Sequence, residues 1–256
     1  MPSIPIKTER EIEKMRIACR SASKVLDQIA EVIRPGVPTK DVDEAAADFM
    51  ADESCKSAFL GYKKFPGHIC ISINEEVVHG IGGNRRVQYG DIVKVDCGVL
   101  KDGWVGDTAM TIPVGMIDAK LQRLLQVTED ALSIALEYCW SGRRLGDLCS
   151  AIENEVVVNG YSVVREFVGH GVGRKLHEEP QIPNYGRPGS GPSLKPGMTL
   201  AIEPMVNMGT GSVRVLTDDW TVVTSDGKPS AHFEHTVLIT KGAPEILTSR
   251  ARTMAH

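Results

Sequence analysis

Apolar runs of membrane-spanning length are missing: none approaches the roughly 20 residues that a bilayer crossing requires. The opening stretch MPSIPIKTEREIEKMR contains no apolar segment of signal-peptide type, which predicts a cytoplasmic protein without a membrane partner. Excess charge of one sign is also missing. The net charge of −4 gives no global reason to expect DNA or an anionic surface as a partner. The six cysteines, at positions 19, 55, 70, 97, 139 and 149, form no CxxC pair, which excludes a zinc ribbon or finger. They read as reduced, buried thiols. No linker or low-complexity stretch divides the 256 residues, so the chain reads as one domain, 1–256.

What is there is patterned. Thr8 and Glu11 have capping-box spacing, and the apolar period from Glu9 predicts a helix to about Ile33, ended by Pro35 and Gly36. Thr39 is expected to cap a second helix through about Glu53. Further helices are expected from about Ala119 to Cys139 and from Leu145 to Val158, separated by Gly142. Strands are expected at 69–73, 198–206, 219–224 and 232–240. IAEVIRPGVPTKDVDE (29–44) is echoed by ALEYCWSGRRLGDLCS (135–150), with Glu31, Gly36 and Asp41 matching Glu137, Gly142 and Asp147. The echo suggests two pseudosymmetric halves.

The stretch DIVKVDCGVLKDGWVGDTAMTI (91–112) reads as two strands joined at Asp102-Gly103. Val93, Val95, Cys97 and Val99 alternate onto one face, leaving Asp96 on the other. A two-residue turn pairs 96 with 109 and 98 with 107, so Asp107 shares the face of Asp96, unless a bulge at Gly106 shifts the register. Two acids so placed repel unless a proton or a cation lies between them; two unrelated acids near a turn is the alternative. His170 stands among Gly169, Gly171 and Gly173 in FVGHGVGRKLHEEPQIPN (167–184). GxGxG misses the dinucleotide pattern, and glycines let other groups approach the imidazole closely. In MTLAIEPMVN alternation sets Glu203 opposite Leu200 and Ile202, and Glu234 interrupts the strand AHFEHTVLIT. Four strand acids and a glycine-flanked histidine in apolar surroundings call for a compensating cation.

The joint occurrence of INEEVVHGI, GDIVKVD, KDGWVGDTA, SVVREFVGHGVGR, LHEEPQIPN, LKPGMTLAIEPMV, DDWTVVTSDG and FEHTVLIT, in this order, resembles type I methionine aminopeptidases nearly end to end. The resemblance implies an α/β (α+β) pita-bread fold: two pseudosymmetric halves of antiparallel sheet flanked by helices, with a metal site between them. It implies Asp96, Asp107, His170, Glu203 and Glu234 as ligands of two divalent ions. Oxygen-rich ligation suits Mn, Fe, Co or Zn. It also implies removal of the initiator methionine from the N-terminal peptide of nascent chains when the second residue is small, by attack of metal-bound hydroxide. Glu203 would shuttle protons. His79 would contact the scissile nitrogen, and His177 the substrate carbonyl. Phe59, Tyr62, Phe65, Cys70, Leu176 and Trp220 would form the methionine pocket. Asn74 and Ser230 would hold a monovalent cation. Leu176, Asp219 and His232 depart from the commoner Phe, Gly and Gln. His68, His235 and His256 read as structural or exposed.

The chain starts almost directly with the catalytic region, as in the compact bacterial form, and a monomer is expected. Ribosome contact near the peptide exit is expected through Arg174, Lys175, Arg187 and Lys195. Two alternatives stand beside this reading: an Xaa-Pro hydrolase, whose relatives carry an extra N-terminal domain, and a non-catalytic binding module of the same fold.

Overall fold

A computed structural model describes residues 3–250, so the expectation for His256 lies outside the described residues. Four helices are formed: α1 (Glu9–Val32), α2 (Thr39–Asp52), α3 (Ala119–Leu136) and α4 (Leu145–Val158). Their bounds match the apolar period and its glycine and proline stops, α3 ending three residues early. Cys139 lies past that end, its Sγ donating back to the Ala135 carbonyl at 3.2 Å. At α1 the Thr8 backbone N–H donates to the Glu11 carboxylate at 3.0 Å, as the capping-box spacing predicts. Thr39 does not cap α2. Pro38 occupies the cap position, and the Thr39 hydroxyl is engaged with the backbone of Gly83 instead.

The strands in the first half are β1 (Lys56–Ser57), β2 (Cys70–Ile73), β3 (Glu76–Val78), β4 (Ile92–Lys101) and β5 (Trp104–Pro113). Those of the second half are β6 (Ser162–Val163), β7 (Gly169–Gly171), β8 (Glu178–Ile182), β9 (Thr199–Ile202), β10 (Met205–Asn207), β11 (Val213–Val215), β12 (Val222–Thr224), β13 (Ser230–His232), β14 (Glu234–Leu238) and β15 (Glu245–Ile246). A nine-stranded sheet runs β1-β4-β5-β14-β9-β7-β8, with β2 also on β4 and β15 on β14. Its described pairs are antiparallel.

The β4–β5 hairpin closes at Asp102 (φ 51) and Gly103 (φ 77), two left-handed residues that a two-residue hairpin turn demands. Asp96 pairs with Ala109 and Gly98 with Asp107, as a two-residue turn dictates. The register is unbroken through Gly106, so no bulge forms there. Gly106 serves packing instead: a Cβ at this position would sit 2.5 Å from the Ala18 carbonyl oxygen of α1. Val93, Val95, Cys97 and Val99 are fully buried in one cluster with residues of α1 and α2. A buried Val contributes about 1.5–3 kcal/mol, so this face holds the hairpin in place while the opposite face carries the acids.

Three strand expectations are corrected. The stretch 198–206 is split at Glu203-Pro204 into β9 and β10, and 232–240 breaks at Phe233 into β13 and β14. At each break the chain crosses between the large sheet and a three-stranded one, β13-β10-β6: out of the large sheet after β9, and back into it at β14. Proline, which has no N–H for the ladder, marks the first break. The strand expected at 219–224 begins only at Val222, because Asp218 Oδ1 accepts from the N–H groups of Trp220 and Thr221 and turns the chain there.

The internal echo is structural. Gly36 (φ 91) and Gly142 (φ 100) turn the chain between the two helices of each pair. Gly36 N–H donates to Val87 O, and Gly142 N–H to Leu194 O; Lys40 N–H donates to Gly83 O, and Gly146 N–H to Ser190 O. Each helix pair packs its own apolar cluster, α1/α2 against β2, β4 and β5, and α3/α4 against β9 and β14. The halves join where β5 pairs β14, Ala109 facing Glu234.

Candidate metal centre

That central seam gathers the acids. Asp107, His170 and Glu234 each offer a ligand atom, all within 4.8 Å of one another. His170 Nε2 lies 3.7 Å from Asp107 Oδ2 and 3.6 Å from Glu203 Oε1. Asp96 lines the same cavity. The five residues thus meet from both halves: Asp96 and Asp107 on one hairpin, His170 on β7, Glu203 at the end of β9 and Glu234 at the start of β14. Strand alternation sends Leu200 and Ile202 into the α3/α4 cluster, so Glu203 faces the other way.

His170 is set by its neighbours. A Cβ at Gly169 would sit 2.5 Å from the Ala201 carbonyl oxygen, and one at Gly171 would sit 2.2 Å from that of Glu179. The flanking glycines therefore let the backbones on either side close around the histidine. Its Nδ1 lies 2.9 Å from the Gly171 carbonyl, which can only accept, so Nδ1 carries the proton. Nε2 is left with its lone pair toward Asp107 and Glu203. Burial pushes the His170 pKa down to about 3, which keeps that lone pair free.

The acids are in the opposite condition. Burial, then mutual repulsion, holds Asp96, Glu203 and Glu234 well above the usual carboxylate range. Burial pushes Asp107 up to about 7. Asp96 Oδ1 and Asp107 Oδ1 are buried without a hydrogen-bond partner. Orphaned carboxylate oxygens facing a neutral imidazole form a donor set that fits hard or borderline divalent ions. Cys70 and Cys97 are nearby but buried, with pKa values raised by burial and then by the acids, so thiolate ligation is disfavoured.

The acids line a cavity of about 260 Å³, and so do all the residues expected to bind substrate. Phe65 stands edge-on to Phe59 at 6.5 Å and to Trp220 at 5.0 Å. Cys70 pairs with Asp96 across β2 and β4, and Leu176 joins the same apolar cluster as Phe59 and Phe65. His79 follows β3 in a left-handed conformation (φ 61). Burial, its largest influence, pushes its pKa down to about 4. His177 Nδ1 lies 2.8 Å from the Tyr62 hydroxyl, and its ring centroid is 4.2 Å from that of His170.

Five further lining residues escape sequence reading: Lys63, Val78, Phe167, Val168 and Met205. Phe167 contacts the His79 ring at 5.3 Å. Met205 lies two residues past Glu203, a spacing that could have flagged it. His232, noted only as a departure, is buried with Nε2 3.6 Å from Glu203 Oε2 and no hydrogen-bond partner. His235 faces away from the site and engages Thr248 at 2.9 Å, while the His68 backbone N–H donates to Asp43 at 2.8 Å. Asn74 and Ser230 lie together, but Lys94 Nζ donates to both carbonyl oxygens, at 2.7 and 2.9 Å. The oxygens expected to hold a monovalent cation hold an ammonium.

Comparison with known proteins agrees with this geometry. Methionine aminopeptidase 1 of Bacillus subtilis is 49% identical over 242 residues, 94% of this chain and 98% of its own. The crystal structure of a methionine aminopeptidase from Thermotoga maritima is 46% identical with a TM-score of 0.95, covering 97% of this chain and 100% of that one. A prolidase from Pyrococcus furiosus is 27% identical with a TM-score of 0.80, covering 96% of this chain but 66% of its own. The fold is the expected pita-bread fold. The model of metallopeptidase family M24 matches residues 13–241, and the chain belongs to that family.

Proposed function

We propose that this chain is a metal-dependent methionyl aminopeptidase that removes the initiator methionine from nascent chains whose second residue is small. The observation that carries the reading is the cavity itself, with four acids and His170 at one end and Phe59, Phe65 and Trp220 along its wall. The second support is the run of methionine aminopeptidases at 46–49% identity over nearly the full length.

Asp96, Asp107, His170, Glu203 and Glu234 would hold two divalent ions of the Mn, Fe, Co or Zn kind. When bound, such ions polarise a carbonyl and lower the pKa of a coordinated water. The protein's own groups then have separable tasks. The aromatic wall and Cys70 receive the flexible thioether of methionine and exclude bulk water. Glu203 carries the proton from the attacking water to the leaving amine as the C–N bond breaks and the new C–O bond remains. His79, neutral because it is buried, holds the scissile nitrogen. His177, with Nδ1 engaged by Tyr62, presents Nε2 to the substrate carbonyl.

Hydrolysis of Met-Ala-Ser by chelator-stripped protein, titrated with each metal, tests this. Metal-dependent release of methionine is expected, and Asp107→Asn is expected to abolish it. Release of Xaa from Xaa-Pro substrates in preference to methionine would replace the reading with the Xaa-Pro hydrolase; no release of either would favour the binding module.

The enzyme acts as a single-domain cytoplasmic monomer, and six free, buried cysteines suit that compartment. Arg174, Lys175, Arg187 and Lys195 are all exposed and face ribosomal RNA phosphates during its task. Neutralising all four is expected to weaken co-sedimentation with ribosomes and flatten its salt dependence. Unchanged sedimentation would remove them from that role.

A further inference from the structure

We propose that the Lys94 ammonium is a built-in cation in place of a bound monovalent ion, tying together the segments that deliver Asp96, His79 and Glu234. Lys94 is 2% exposed, although an ammonium removed from water is costly unless its donors are met. Two of its three donors are met by main-chain oxygens, Asn74 O at 2.7 Å and Ser230 O at 2.9 Å. Neither carbonyl is free to turn away. The Asn74 side chain is fixed at both ends, Nδ2 donating to Asp91 at 2.8 Å and Oδ1 accepting from the Ile92 N–H at 3.0 Å. The Asn74 carbonyl also accepts from the Ser230 N–H at 3.0 Å, and Ser230 Oγ donates to Val206 O at 3.1 Å. Two fixed carbonyls from different halves therefore converge on one positive charge.

The position of that charge gives it a consequence. Lys94 lies two residues before Asp96 on β4. Asn74 lies in the turn that leads through β3 to His79, and Ser230 opens β13, which leads to Glu234. One ammonium thus holds the roots of three segments that end in the site. A covalently attached cation is present at high effective concentration whatever the salt. Lys94 is a positioning residue: it lies behind the reacting groups and acts through the strands.

The test uses the metal-loaded protein in choline chloride, exchanged for potassium or sodium chloride at constant ionic strength. Wild type is expected to show the same thermal midpoint and the same kcat on Met-Ala-Ser in all three salts. Lys94→Ala, which vacates the space between the carbonyls, is expected to lose about 10–100-fold in kcat in choline. Potassium or sodium should restore kcat and midpoint saturably. Lys94→Met, which fills the space without a charge, should be impaired and not restored. Saturable stabilisation of wild type by potassium or sodium would overturn the proposal, because an ion site would then persist beside Lys94. Parental behaviour of Lys94→Ala in choline, or a defect that no small cation relieves, would also overturn it. If neither variant folds in any salt, the wild-type titration decides. The kinetic arm rests on the proposed aminopeptidase reading; the thermal arm reads cation dependence without activity, so the two fail separately.

Discussion

Replacing Glu203 by Gln is expected to lower kcat on Met-Ala-Ser by about 10²–10⁴-fold, the range for loss of a positioned proton-transfer group. The amide keeps the shape of the side chain, and the mouth of the cavity is unaffected, so KM should move much less than kcat. What is lost is specific. One Glu203 oxygen lies 3.6 Å from His170 Nε2 and the other 3.6 Å from His232 Nε2, so the carboxylate is held between two imidazoles at the centre of the cavity. An amide in that place cannot take up the proton of an attacking water. Glu203 also belongs to the donor set, so kcat should be compared at equal metal content, measured by elemental analysis. Parental kcat in fully loaded Glu203→Gln would take proton transfer away from this residue.

The second large effect concerns metal removal. The thermal stabilisation conferred by a divalent ion is expected to grow steadily from pH 6.5 to 8.5. In the stripped protein the buried acids are raised: Asp107 to about 7, and Asp96, Glu203 and Glu234 well above their usual range, all through burial first. A raised acid contributes stability that is fully present below its unfolded value near 4 and is lost as pH rises through the folded value. Each acid forced to ionise without a partner costs about 1.4 kcal/mol per pH unit. A bound cation takes the place of those protons, so its affinity rises as they leave.

The buried histidines do not confuse the comparison. His79 and His170 have pKa values lowered to about 4 and about 3 by burial, so they are neutral throughout the window in the folded protein, stripped or loaded. Their own destabilising effect appears as pH falls below the unfolded value near 6.5. Thermal midpoints of stripped and manganese-loaded protein across the window check this. A difference that does not change with pH would mean that the acids are not the groups that meet the ion.

Much of the site was legible before any coordinates because it is written in local periodicity. The Asp102-Gly103 turn dictates which residues face each other, and Asp96 opposite Ala109 follows without knowledge of the rest of the chain. Alternation likewise set Glu203 against Leu200 and Ile202. Pro204, which cannot donate to a ladder, marks one sheet change, but the break at Phe233 was not legible, since apolar alternation continues across it while the chain changes sheets. Nor was the role of Asn74 and Ser230. Family resemblance pointed to an ion, and the ammonium that meets their carbonyls comes from Lys94, whose type alone predicts an exposed surface charge.

By itself, then, the sequence determined the helix ends, the central hairpin and the identity of the acids, because turn chemistry and strand alternation act over a few residues. Tertiary structure alone decided that β5 lies beside β14, where the Thr236 hydroxyl reaches the Asp107 carbonyl across more than a hundred residues of chain. It also decided that Lys94 is buried and that four acids and His170, drawn from two halves, face one cavity. Those outcomes depend on which apolar faces pack together, and chain-distant packing is not encoded in the spacing of any single segment.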